Sequence, residues 1–280
     1  MDNTSNLQTQ VSVKEDKYVE VESEELNQLV KSLPKQKGWR SRHLYLYQDF
    51  WVASSVFSAV ISFQQHFQAQ NTDIIITGLP KSGNTWLKAL IYSIVNRKKF
   101  SIDKSPLNTA KSHDLVQSLE DTLYFDNKNP NLSTIEPPRM FSTHLPFLSL
   151  PESIKATQCR VVYVCRNPFD NFISLWHFVR PATRSEDSKP LSLEEAFDMF
   201  CGGVSSYGPF WDHMLGFWNE SLKNPQKILF LMYEDMKIDI KLQMKKLAEF
   251  LGLPFDEDEE KMKRNKGSLM KYQFSVALRI

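Results

Sequence analysis

A chain of 280 residues, 41% of them hydrophobic, is long enough to enclose one continuous core, and α/β folds of this size are commonly a single domain. Its 34 basic and 33 acidic residues nearly cancel, so composition gives no reason to propose nucleic acid or a membrane surface as partner, and any cationic site must be local. The three cysteines, Cys159, Cys165 and Cys201, are odd in number and lack C-x-x-C spacing, which points to a reduced, intracellular setting.

Residues 1–22 are polar and acidic, without the basic start and apolar core of a signal peptide, and read as a flexible tail. No later apolar run reaches membrane-spanning length, so a cytoplasmic protein is expected. Residues 23–33 fit a short helix ended before Pro34. His43 to Tyr47 with Phe50 and Trp51 is aromatic-rich, and residues 51–67 are apolar enough for a helix against the core. Asp73-Ile74-Ile75-Ile76 then reads as a buried parallel strand and residues 87–95 as a helix, joined by Thr77-Gly78-Leu79-Pro80-Lys81-Ser82-Gly83-Asn84-Thr85-Trp86. Strand, glycine-rich turn and helix make an anion site: glycines let backbone N–H groups face a ligand, and the helix start adds about half a positive charge. Gly78-x4-Gly83-x-Thr85 nearly fits the triphosphate P-loop, but Asn84 stands in the lysine position and the lysine is at Lys81. A second buried strand, Arg160–Cys165, ends in Arg166, a cation where a magnesium-holding carboxylate would sit. Both departures favour a metal-free anionic ligand.

Residues 101–138, with Pro106, Pro130, Pro137 and Pro138, read as loops around a short helix near 115–119 that cover the site. Residues 139–146 read as a short strand stopping at His144 and Pro146. Ligands gather beyond the carboxyl ends of parallel strands, which makes His144 a candidate, although a lone histidine is more often structural. Asn167 suits an N-cap and Pro168 the first position of a helix to Val179. Ser174, seven residues past Asn167, shares its side of that helix; by themselves Arg166 and Ser174 read as a surface arginine and a helix-face serine. Residues 193–201 and 210–222 read as helices, and the flexible Gly202 to Pro209 loop between them as a pocket lid. Residues 227–233 form a further buried strand with Tyr233 at the ligand edge, and 239–250 an amphipathic helix closed by Gly252 and Pro254. Residues 256–264 are a charge run whose Glu257/Lys261 and Glu259/Lys263 pairs suit a solvated helix, and 269–280 show no period. The expected organisation is a tail at 1–22, one domain at 23–255, and a divergent or truncated tail at 256–280.

Lys81-Ser82-Gly83 with Thr85-Trp86, read together with the Arg166 strand end, resembles the soluble sulfotransferases that use 3′-phosphoadenosine 5′-phosphosulfate. From Leu33-Pro34-Lys35 through Leu253-Pro254-Phe255 the wording is similar to the plant cytosolic branch, Asn84 departing from the hydroxyl residue usual in the loop. The resemblance implies an α/β fold with a central, mostly parallel sheet flanked by helices and a P-loop-like phosphosulfate loop. In Ser142-Thr143-His144-Leu145-Pro146 it makes His144 the catalytic base, with Lys81 neutralising the departing oxygen. It implies nucleotide contacts from Lys81, Ser82, Gly83, Asn84, Thr85 and Trp86, a 3′-phosphate grip by Arg166 and Ser174, and Tyr233 facing the adenine. The implied co-substrate is the phosphosulfate nucleotide, with no metal, and the implied partner is a small hydroxylated organic acceptor met partly by residues 43–67. Family members continue to an Arg-Lys-Gly-x-x-Gly segment followed by Asp-Trp, which Arg264-Asn265-Lys266-Gly267 and Met270 imitate poorly. The expectation is therefore a chain truncated or divergent at this end, with a weakened nucleotide grip. Two other classes stay open: a nucleotide kinase, and a catalytically impaired small-molecule binding protein.

Overall fold

In a computed structural model, which describes residues 24–179, 191–257 and 259, helix α1 (Glu24–Ser32) stops ahead of Pro34 as expected. Three short strands follow, β1 (Lys35–Lys37), β2 (His43–Tyr47) and β3 (Phe50–Ala53), forming an antiparallel sheet in the order β1-β2-β3. The continuous helix expected over 51–67 is therefore divided between β3 and helix α2 (Phe57–His66). Gln48 and Asp49 adopt left-handed φ angles of 51° and 64°, closing a two-residue hairpin that sets Phe50 opposite Tyr47 and Trp51 opposite Leu46. Apolarity alone could not separate a strand from a helix here.

The main sheet begins with β4 (Ile74–Thr77), buried along its whole length, and the loop after it leads into helix α3 (Asn84–Asn96). The proline-rich region is more structured than the sequence indicates: it holds helix α4 (Ser112–Leu115), a π-helical turn at Leu119–Leu123 and helix α5 (Tyr124–Asp126). Then come β5 (Met140–Thr143), α6 (Glu152–Ala156), β6 (Arg160–Cys165), α7 (Pro168–Val179), α8 (Leu193–Cys201), α9 (Phe210–Lys223), β7 (Ile228–Met232), α10 (Tyr233–Ile238) and α11 (Ile240–Phe250). The four later strands form one parallel sheet, ordered β5-β4-β6-β7.

Its two faces divide the strand residues by parity. Ile75, Phe141, Val161 and Tyr163 pack with Phe57 and Phe63 of α2 and Phe217 of α9. Ile76, Val162, Val164 and Leu231 pack with Leu87, Leu90 and Ile91 of α3 and Met244 and Leu247 of α11. A parallel sheet covered on both faces needs apolar residues at successive positions, which is why residues 74–76 of β4 and 161–165 of β6 read as unbroken apolar runs. Among the described residues no helix is long and apolar enough to cross a membrane. Residues 1–22, and the Lys261 and Lys263 partners expected in the charge run, lie outside the described residues; Glu259 is engaged by Arg97 at 3.0 Å.

At the amino edge of β4 and β5 a buried ion pair fixes their start. Asp73, with no exposed surface, receives Arg139 in a bidentate contact, Nε to Oδ1 at 2.8 Å and Nη2 to Oδ2 at 2.6 Å, and Arg139 also donates to the Gln68 carbonyl. Removing one partner strands a buried charge. Arg139→Met is expected to lower the unfolding free energy by about 3–5 kcal/mol in urea titration. A loss below about 1 kcal/mol would show that Asp73 finds solvent or another partner.

Candidate active site

The parallel register sets Thr77 opposite both Thr143 and Tyr163, so the loop after β4, His144 after β5, Arg166 after β6 and Tyr233 after β7 all emerge at one sheet edge. The loop backbone is the first component. Gly78 lies so close to the neighbouring strand that a Cβ would sit 2.4 Å from the Val164 carbonyl oxygen, and Gly83, at φ +109°, would drive one into the Tyr233 ring at 2.6 Å. Asn84 braces the loop from inside, its Nδ2 donating to the carbonyls of Leu79 at 2.9 Å and Gly78 at 3.3 Å, while its Oδ1 is buried without a partner among the described residues. Asn171 of α7 donates to the Pro80 carbonyl at 2.9 Å and to Ser82 Oγ at 3.0 Å. With loop carbonyls tied inward, the first-turn N–H groups of α3 remain as the anion-facing donors.

Around the loop the structure assembles the expected cations and aromatics. Arg166 donates from Nη1 to the Lys81 carbonyl at 3.3 Å, and its guanidinium lies 4.9 Å from the Tyr233 ring centre. Trp86 meets Tyr233 edge-on at 5.7 Å. Lys81 has a left-handed φ of 69°, and its ammonium rests 4.4 Å from the Phe178 ring centre. Burial and then the Arg166 charge hold its pKa below the ordinary lysine value. Asn167 caps α7 as expected, accepting from Phe169 N at 3.0 Å. Ser174 is half-buried on α7 and makes no hydrogen bond with the described residues, so the fold leaves it apart from the linked group.

His144 is joined to the loop itself. Its Nδ1 lies 2.6 Å from the Gly78 carbonyl, which can only accept, so Nδ1 carries the proton and Nε2 keeps its lone pair. The backbone around it is held on both sides: its N–H donates to Glu120 Oε1, and its carbonyl accepts from His213 Nε2 at 2.9 Å. His213 Nδ1 in turn accepts from the Tyr163 hydroxyl at 3.0 Å. Asp121 Oδ2 stands 4.0 Å from His144 Nε2, and the Tyr207 ring lies 5.3 Å away. Burial lowers the His144 pKa, and Asp121 opposes that shift. Burial, reinforced by Asp121, raises the Glu120 carboxyl to about 8, so it is protonated at neutral pH; burial also lowers His213 to about 4, leaving it neutral.

Glu120, Asp121, Tyr207, His213 and Asn171 carry no signal in the sequence, because they reach the site from four segments distant in the chain: the turn at Leu119–Leu123, the loop before α9, α9 and α7. The Gly202 to Pro209 loop, expected as a flexible lid, is instead pinned: Trp51 N donates to the Gly208 carbonyl at 2.9 Å and Tyr207 N to the Trp51 carbonyl at 2.7 Å. The unanticipated β3 supplies both bonds, and Tyr207 is buried.

The sequence profile of the sulfotransferase domain matches residues 71–275, spanning all four strands of the main sheet. The chain belongs to the sulfotransferase domain family. Among the relatives of this sulfotransferase, cytosolic sulfotransferase 15 of Arabidopsis thaliana is 50% identical over 241 residues, covering 85% of this chain and 67% of that one. Cytosolic sulfotransferase 14 of the same plant is 49% identical over 244 residues, covering 85% and 70%. A crystal structure of a putative steroid sulphotransferase from Arabidopsis thaliana superposes with a TM-score of 0.77 at 37% identity, covering 93% of this chain and 88% of that one. A mouse sulfotransferase complexed with PAP gives 0.59 at 27% identity, covering 83% and 74%. No group of three or more His, Cys, Asp or Glu side chains among the described residues is placed to hold a metal ion.

The protonation state of Glu120 gives a direct test of how the sulfotransferase holds His144. Glu120→Gln keeps an oxygen for the His144 N–H and should leave the unfolding free energy within about 1 kcal/mol of the parent. Glu120→Ala leaves that donor buried without an acceptor and should cost about 1–3 kcal/mol in the same denaturant titration. Equal losses from both would mean that Glu120 acts as a carboxylate.

Proposed function

We propose that this sulfotransferase moves a sulfuryl group from 3′-phosphoadenosine 5′-phosphosulfate to the hydroxyl of a small, largely apolar organic acceptor. The observation that carries the reading is the Nδ1–H bond from His144 to the Gly78 carbonyl, which sets an imidazole with an available Nε2 lone pair against the anion-binding loop. The site's chemistry fits such a donor: Gly78 and Gly83 let the loop backbone pack against Val164 and Tyr233, Lys81 rests against a ring face, and Arg166 Nε is buried without a partner among the described residues. The mouse relative solved with PAP supports an adenine nucleotide in this position.

The nucleotide, when bound, supplies the sulfuryl group and a phosphate leaving group. His144 Nε2 takes the acceptor's hydroxyl proton as that oxygen bonds to sulfur, and Lys81 neutralises the bridging oxygen released to phosphate. Loop N–H groups at Gly83 and Asn84 and the Thr85 hydroxyl hold the 5′-phosphate, Arg166 and Ser174 hold the 3′-phosphate, and Trp86 and Tyr233 flank the adenine. No metal takes part in these roles. The plant relatives support a small-molecule acceptor and a cytosolic setting: one solved structure is described as a putative steroid sulphotransferase, and the related proteins are named cytosolic. A nucleotide kinase would need a metal-holding carboxylate where Arg166 follows β6. Titration calorimetry comparing the phosphosulfate nucleotide with ATP and Mg²⁺ separates the two, the reading requiring a preference for the former.

His144→Ala should lower kcat by about 10²–10⁴ with nucleotide affinity little changed, as loss of a general base does. Weakened nucleotide binding would instead place His144 in the nucleotide grip. The acid limb of the kcat/KM profile should fall below pH 6.5, because burial favours neutral imidazole and the base works only when neutral. Lys81→Ala should weaken binding of the sulfated nucleotide more than that of its desulfated product. Equal weakening would confine Lys81 to phosphates that both share.

A further inference from the structure

Lys88 takes no part in the roles above, yet it is a lysine with only 3% of its surface exposed, one helical turn after Thr85 on α3. Among the described residues no carboxylate lies within ion-pair distance of it. Its Nζ instead meets His113 Nδ1 at 3.0 Å, and the other nitrogen of that ring, Nε2, meets Thr85 Oγ1 at 3.0 Å. His113 comes from α4, which is fastened to the same turn of α3 by Ser112 Oγ donating to the Thr85 carbonyl at 3.1 Å.

We propose that Lys88 and His113 are positioning residues that turn the Thr85 hydroxyl outward, as a fixed hydrogen-bond donor to the 5′-phosphate. This rests on the nucleotide reading of the loop given above. The direction follows from donor inventories. An ammonium has protons and no lone pair, so Lys88 donates and His113 Nδ1 accepts. The proton of a neutral His113 must then sit on Nε2, which donates to Thr85 Oγ1 and leaves the hydroxyl hydrogen to point away from the ring. Burial brings Lys88 down to about 8 against the opposing charge of Asp121, so it stays mainly cationic at neutral pH. Burial and then Lys88 bring His113 to about 4, so it stays neutral. A hydroxyl free to rotate would offer the phosphate a lone pair as often as a proton. The relay removes that choice before the ligand arrives, as preorganised donors require.

The test is a mutant cycle read by calorimetric titration of the full chain with the desulfated nucleotide. Lys88→Met and Thr85→Val are each expected to weaken binding roughly tenfold, the worth of one charge-assisted hydrogen bond. The double variant should be no weaker than the worse single one, because Lys88 acts through Thr85. Losses that multiply to roughly hundredfold in the double variant, or a Lys88→Met protein that binds like the parent, would overturn the relay. Nitrogen-15 NMR of the unliganded parent gives a readout that needs no variant and no nucleotide. A neutral His113 protonated at Nε2 is expected; a proton on Nδ1, or an imidazolium, overturns it. A parent chain that binds no nucleotide would sink the proposed function and the phosphate end of the relay, while the His113 tautomer would still decide the relay's direction.

Discussion

One carbonyl, that of Gly78, accepts both from His144 Nδ1 and from the Asn84 side-chain amide, at 2.6 Å and 3.3 Å. Its two lone pairs thus serve the histidine and the loop brace together. The arrangement depends on strand register. Thr77 is paired with Thr143, so Gly78 and His144 are the next residues along two neighbouring parallel strands and leave the sheet side by side. A slip of one residue would turn every side chain of β5 to the other face, moving Phe141 out of its core and breaking the contact.

Around that contact the protein concentrates ionisable groups in a setting with little water, and their charge states follow from what surrounds them. Glu120 is kept neutral, so it supports the His144 backbone without holding a negative charge against it. His213 and His113 are neutral as well, and each passes a hydrogen bond in one direction only. Such networks rigidify a site when every member finds a partner, and the two rings do so through Tyr163, the His144 carbonyl, Lys88 and Thr85. The segment between α3 and β5 brings the decisive groups, His113, Glu120 and Asp121, to a sheet edge built from other parts of the chain.

What could be read directly from residue order was whatever depends on neighbours in the chain. The apolar runs of β4 and β6, the glycine-rich turn, the Asn167 cap with Pro168 behind it, and the Gly252 stop all set their own backbone, and each stands where the pattern puts it. Motif wording did as much for the family and for the placing of Lys81, Arg166, His144 and Tyr233 at one edge, since four parallel strands must present their carboxyl ends together.

Tertiary structure decided what depends on residues distant in sequence. The apolar stretch after Phe50 became a strand because a left-handed pair, Gln48 and Asp49, turned it onto β2, a choice that hydrophobicity does not encode. Tyr207 reached His144 because that strand also fixed the Gly202 to Pro209 loop. The tautomer of His144, the protonation of Glu120 and the partner of a buried Lys88 were settled by burial and by hydrogen-bond partners 24 to 66 residues away in sequence. Periodicity records which face of an element is apolar; the donor and acceptor that a buried polar group meets is set only when separate elements pack, and that choice fixes its charge.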